Sequence, residues 1–146
     1  KVLLVEDSEN DIEITLEALA EYHLANQIDV VRDGAEALDY LFCREKYATR
    51  GGPDPVVVLL DVKLPKLSGI EVLQEIRATE RHRHLPVVML TSSREEPDLQ
   101  RCYKLGCNAY VVKPVDFAQF TEALKLLGCF WAVLNEPPAL VNPVNS

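Results

Sequence analysis

Four short apolar runs in this chain stop abruptly on residues that carry a charge or a hydroxyl. Val56-Val57-Val58-Leu59-Leu60 runs into Asp61, and Val2 to Val5 runs into Glu6-Asp7. Val87 to Leu90 ends at Thr91, and Ala109 to Val112 ends at Lys113-Pro114. Unbroken apolar runs of this length, rich in β-branched residues, read as strands buried on both faces, as in a parallel sheet. Ligands of open parallel sheets lie in the crevice beyond the carboxyl ends of the strands. The four runs therefore place three carboxylates, one hydroxyl and one ammonium along a single edge.

Three acids in one place repel one another unless a cation sits among them. An oxygen-only donor set with room for waters and a phosphate suits Mg²⁺, for which Mn²⁺ or Ca²⁺ can stand in within a crystal. A divalent ion keeps Asp61 ionised and nucleophilic toward phosphorus. A lysine and a hydroxyl nearby can hold phosphoryl oxygens through charge-assisted hydrogen bonds. The reaction class is phosphoryl transfer onto an aspartate. Each residue has a plainer reading taken alone. Asp61 could cap a loop, Glu6-Asp7 could favour a helix dipole, Thr91 could cap the next helix, and Lys113 could be a solvated strand end. Their joint placement at four strand ends favours the chemical reading.

The elements that must position them follow from the pattern. Ser8 suits the cap of a first helix, with Asp11 three residues on as the reaching partner of a capping-box-like pair, and Ile12, Leu16 and Leu19 recur at helical spacing. Ile28 to Val31 is a further strand, and Asp33 caps a helix with a stripe of Ala35, Leu38, Leu41 and Phe42. The loop Tyr47 to Pro55 leads into the central strand, and Gly69 opens a helix carrying Ile70, Leu73 and Ile76. Arg77 to Leu85, rich in Arg and His, reads as a solvated connection, with His82 and His84 in solvent rather than on a metal. A helix over 97–105 stops at Gly106, whose place suits a C-terminal cap. The last helix runs from about Asp116 to Asn135. Five strands alternating with five helices predict an α/β fold, a parallel sheet covered on both faces.

With 146 residues the chain is expected to form one domain. Its net charge of −8 and the lack of a Lys/Arg stripe argue against nucleic acid as a partner. No apolar run reaches the roughly 20 residues of a membrane span. Cys43, Cys102, Cys107 and Cys129 form no CxxC pair and read as free thiols in a reducing cytoplasm. The chain opens on Lys1 with no signal-peptide layout, and a few native residues are expected ahead of it.

LLVEDS (Leu3 to Ser8), VVVLLDVKLPKLSG (Val56 to Gly69), VVMLTSS (Val87 to Ser93) and YVVKP (Tyr110 to Pro114) together resemble the receiver domain of two-component response regulators. The resemblance implies a flavodoxin-like (βα)5 fold with strand order 2-1-3-4-5 over residues 1–130, and a C-terminal arm over 131–146 in place of an output domain. It implies Asp61 as phosphoacceptor and Mg²⁺ held by Asp7, Asp61 and the backbone carbonyl of Lys63, with Glu6 acting through water. Lys113 and Thr91 would contact the phosphoryl group, Tyr110 would swing inward as the reporting aromatic, and the Lys113-Pro114 bond would be cis. Such a chain catalyses only its own phosphorylation and dephosphorylation, so it is not expected to be an enzyme in the ordinary sense.

The Gly/Pro loop and the ending LGCFWAVLNEPP are similar to standalone response regulators that partner bacterial and cyanobacterial phytochromes. That likeness implies a phytochrome-type sensor histidine kinase as partner. It also implies a homodimer through the last helix and arm, with Phe120, Leu124, Leu127, Phe130 and Trp131 at the interface. Two departures stand out: Lys63, two residues after Asp61, and Leu67-Ser68 in place of the frequent Met-Asp. Lys63 bears on how long an acyl phosphate survives. Two other functions compete. A Mg²⁺-dependent phosphohydrolase passing through an aspartyl-phosphate would want a second acid where Lys63 stands, and a pseudo-receiver would bind partners without phosphorylation.

Overall fold

A computed structural model describes residues 1–20, 28–93, 96–107 and 109–128. The apolar runs form five strands, β1 (Val2–Val5), β2 (Ile28–Val31), β3 (Val57–Asp61), β4 (Val87–Thr91) and β5 (Ala109–Val112). They pair in parallel in the order β2-β1-β3-β4-β5, as the resemblance implies. The helices are α1 (Glu9–Ala20), α2 (Gly34–Leu41), α3 (Gly69–Ala78), α4 (Leu99–Lys104) and α5 (Phe117–Leu127). Alternate residues of each strand feed two cores. Leu3, Val5, Val58, Leu60 and Met89 pack with α2, α3 and α4, while Leu4, Val57, Leu59, Val88 and Leu90 pack with α1 and α5. Burial on both faces is why β1, β3 and β4 read as solid apolar runs, while the outer strands β2 and β5 are buried only in part.

Local chemistry sets the helix starts. Asp33 accepts from the Glu36 N–H at 2.7 Å, Asp116 accepts from Gln119 at 2.8 Å, and Ser68 with Glu71 forms a reciprocal capping box. Among the described residues, no helix is long and apolar enough to cross a membrane.

Several expectations need correction. The helix expected over 97–105 is shorter, Leu99–Lys104, although Gly106 follows it with φ 102° as a cap glycine should. The last helix stops at Leu127 well before Asn135, because Gly128 takes a left-handed φ of 73° and its N–H turns back to the carbonyls of Leu124 and Lys125. Phe120 and Leu124, expected at a dimer interface, are completely buried in their own domain's core against the sheet. Leu127 packs at the edge of that core, while its neighbour Leu126 is the exposed residue. Phe130, Trp131 and the arm 131–146 lie outside the described residues, as does Cys129.

The segment from Arg77 to Leu85 is not solvated throughout. Arg77 donates to the carbonyls of Leu85 at 2.7 Å and Gly106 at 2.9 Å, and His82 is only 2% exposed, its ring packed against Phe42. Cys102 and Cys107 are buried free thiols, both pushed up to about 11 by burial, and so are poor nucleophiles at neutral pH.

Candidate functional site

Sheet register builds the site. Val5 lies beside Leu60 and Leu60 beside Met89, so Glu6, Asp61 and Thr91 emerge at adjacent strand ends. The Lys113 N–H donates to the Thr91 carbonyl at 2.8 Å, which brings the fifth strand's end to the same edge. Gly69 fixes the loop after Asp61: its N–H donates to Val62 O at 3.0 Å, and a Cβ there would fall 2.1 Å from the Asp61 carbonyl oxygen. No side chain can replace that hydrogen without displacing the backbone that carries Asp61.

All five strand-end residues line one cavity of about 250 Å³, together with Ser8, Asp11, Lys63, Ser92 and Glu96. Carboxylate oxygens of Glu6, Asp7 and Asp61 lie within 4.8 Å of one another. Asp7 is exposed, whereas Glu6 and Asp61 are buried. Lys113 stands opposite, its Nζ at 3.0 Å from Asp61 Oδ2, 3.0 Å from Asp11 Oδ2 and 3.2 Å from Glu6 Oε1. The other Asp61 oxygen accepts the Lys63 N–H at 3.3 Å. The Lys113-Pro114 peptide is cis.

The electrostatics follow from this crowding. Burial, and then the Asp61 carboxylate beside it, push Glu6 up to about 7, against the pull of Ser8 N–H and Lys113. Burial alone would lower Lys113, but Asp11, Asp61 and Glu6 outweigh it and raise the ammonium above its usual range. Two lysines, Lys63 and Lys113, among five acids leave the cavity short of positive charge. Its hard oxygen donors, clustered and partly buried, fit a divalent ion such as Mg²⁺. Glu6, Asp7 and Asp61 offer the clustered oxygens that could hold it.

Thr91 is buried, and its hydroxyl donates to Ser93 O at 2.8 Å while accepting the Ser93 N–H at 3.3 Å. The hydroxyl is thus engaged by its own loop. Tyr110 is half-buried on β5, with its ring edge-on to Tyr103 at 6.2 Å, away from the cavity.

Two acids of the cavity escape the sequence reading. Asp11 takes half of the expected cap, its N–H donating to Ser8 Oγ at 3.2 Å, but its carboxylate turns to Lys113 and does not reach back to the Ser8 backbone. Glu6 accepts the Ser8 N–H instead, at 3.2 Å. The available signal was position: a first-turn acid on a helix that starts at the sheet's functional edge. Glu96, in the loop before α4, has no periodic or motif signal at all.

Comparison with known proteins agrees with this geometry. Residues 2–125 match the response regulator receiver domain. The chain is 38% identical over 138 residues to the probable methanogenesis regulatory protein FilR2 of Methanothrix harundinacea, covering 94% of this chain and 86% of that one. It is similar to the bacteriophytochrome response regulator AtBRR, with 60% identity, a TM-score of 0.84 and coverage of 92% and 96% of the two chains. The Mn²⁺-bound form of response regulator Rcp1, a protein curated from Synechocystis, gives 32% identity, a TM-score of 0.71 and coverage of 94% and 96%. The five-stranded parallel sheet in the order 2-1-3-4-5 is the fold of these structural neighbours, and the chain belongs to the response regulator receiver domain family.

Proposed function

We propose that this chain accepts a phosphoryl group on Asp61 from a sensor histidine kinase of the phytochrome type, in a Mg²⁺-dependent reaction, and signals by the conformational change that follows. The observation that carries the reading is the state of Asp61. It is a buried carboxylate with one oxygen on Lys113 and the other on the Lys63 N–H, inside a cluster of acids short of cation. The 60% identity to a bacteriophytochrome response regulator supports the class of kinase.

An Asp61 oxygen attacks phosphorus, the bond from phosphorus to the donor's histidine nitrogen breaks, and the nitrogen keeps the electron pair. Mg²⁺, when bound, supplies charge neutralisation for the acids and the incoming phosphoryl oxygens. Lys113 moves one N–H from Asp61 to a phosphoryl oxygen while Glu6 and Asp11 hold the rest of its ammonium. Thr91 exchanges Ser93 for the phosphoryl group, which frees the β4–α4 loop and lets Tyr110 leave Tyr103. Output is then a bias between two arrangements of the surface around α4 and β5.

The hydrolase alternative lacks its acid, since Lys63 stands two residues after Asp61. A pseudo-receiver has no need of the full set of Asp7, Asp61, Thr91 and Lys113. Intact-mass spectrometry after incubation with acetyl phosphate tests the proposal. One added phosphoryl is expected on the wild type with Mg²⁺, and none with chelator or on Asp61→Asn. An adduct that survives Asp61→Asn, or steady turnover of unrelated phosphate esters, overturns it.

A further inference from the structure

Two charged side chains line the Asp61 cavity without a part in the chemistry above, Lys63 and Glu96. They come from different loops, β3–α3 and β4–α4, and meet there, with Lys63 Nζ 3.5 Å from Glu96 Oε1. Their surroundings are opposite. The Glu96 side chain is 6% exposed and that of Lys63 is 74% exposed. Beyond Lys63, the Glu96 carboxylate accepts the Asp98 N–H at 3.4 Å, a long contact for a buried anion. A buried acid is thus compensated by an exposed, flexible ammonium. The Lys63 backbone, meanwhile, is tied at 3.3 Å to Asp61 itself. The root of the side chain is fixed beside the phosphoacceptor while Glu96 draws its tip elsewhere.

A phosphoryl group on Asp61 changes that competition. It brings up to about two negative charges and three acceptor oxygens, against the single charge of Glu96, within reach of the same ammonium. An ammonium on the phosphoryl group places the lysine stem in the cavity's mouth. Water must enter there to attack phosphorus. In that step the water oxygen bonds to phosphorus, the bond from phosphorus to Asp61 breaks, Asp61 leaves as a carboxylate, and the water's proton passes to the released phosphate or to solvent.

We infer that Glu96 is a positioning residue that withholds Lys63 from the phosphoryl group, keeps water's approach open and so shortens the life of the phosphorylated state. The inference rests on Asp61 being the phosphoacceptor.

The test labels the full chain with acetyl phosphate and Mg²⁺, removes the donor, and follows loss of the adduct by intact mass. Glu96→Gln should lengthen the lifetime about two- to fivefold, the range set by one partly exposed ion pair. The same substitution should have no effect in a Lys63→Ala background and should keep its effect in Lys63→Arg, which retains a partner for the acid. A purely structural role for Glu96 would not depend on residue 63. An unchanged or shortened lifetime in Glu96→Gln overturns the inference, as does equal lengthening in the Lys63→Ala background. Failure of the wild type to label at all would instead strike the phosphoacceptor reading.

Discussion

Two charge clusters in this molecule are built alike and behave differently. At the carboxyl edge of the sheet one cation, Lys113, faces Glu6, Asp11 and Asp61. In the segment leading into β3 one anion, Asp54, faces Arg50, Arg81 and His82. The second cluster is satisfied through its arginines, while the His82 ring nitrogens, buried beside Asp54, make no hydrogen bond. Arg50 donates to Tyr40 O at 2.8 Å, to Leu41 O and Pro53 O at 3.4 Å, and lies over the Tyr40 ring at 4.5 Å. Its surplus positive charge is absorbed by carbonyls at the end of α2, where cations are favoured. Arg50 and Asp54 therefore staple the long loop to the domain. The Lys113 cluster has no such sink. Burial, with the Asp61 carboxylate beside it, drives Glu6 up to about 7, and the surplus negative charge leaves room for a cation. A cluster whose surplus charge has carbonyls to take it holds a loop, and one without them is poised to bind.

The sharpest way to break that comparison is to delete the single counter-charge at each centre. Lys113→Ala leaves three carboxylates facing one another, two of them buried, and should cost about 3 kcal/mol in chelator, as expected when one partner of a buried ion pair is removed. Urea denaturation with and without Mg²⁺ checks this, and Mg²⁺ should recover a large part of the loss. A Lys113→Ala chain as stable as wild type in chelator would mean the acids are not in conflict, and the contrast would fail.

Asp54→Asn should cost less, about 1–2 kcal/mol, because Arg50 keeps its carbonyls and Arg81 is half in solvent. Mg²⁺ should not change that cost, and phosphoryl uptake at Asp61 should match wild type. A Mg²⁺-dependent loss would show that the two clusters are coupled through the sheet.

The same contrast explains what the sequence could reveal. The strands and the strand-end residues Glu6, Asp7, Asp61, Thr91 and Lys113 were legible because each residue closes or follows an apolar run, and register then does the positioning, while the strand order came only with the family resemblance. Residues whose meaning depends on side-chain direction were not. Asp11 sits at a spacing that suits both a capping box and the Lys113 cluster, and only the fold chooses. His82 lies in a charged run and reads as solvated. It is buried because Phe42, forty positions earlier, packs on its ring. Phe120 and Leu124 belong to one of two apolar stripes on α5, and sequence alone cannot say which stripe the sheet takes. Glu96 depends on a contact between two irregular loops, where periodicity carries no information.

The smallest effect separates the clusters by pH. Burial would push Asp54 up, but Arg81, Arg50 and His82 outweigh it and hold its carboxyl below the usual carboxylate range. A carboxyl depressed in the folded state contributes stability that is present above its unfolded value, near 3.8, and is lost as pH falls through the folded value. Arg50 and Arg81 stay charged throughout, so they add nothing to the loss. The side chain is partly exposed, and the contribution should stay below about 1 kcal/mol. The stability gap between wild type and Asp54→Asn, read from urea midpoints, should therefore be constant from about pH 5 to 7 and narrow toward about pH 3. A gap that is flat down to pH 3 would mean the Asp54 charge does nothing for the staple, and that its carbonyl-bound arginine holds the loop unaided.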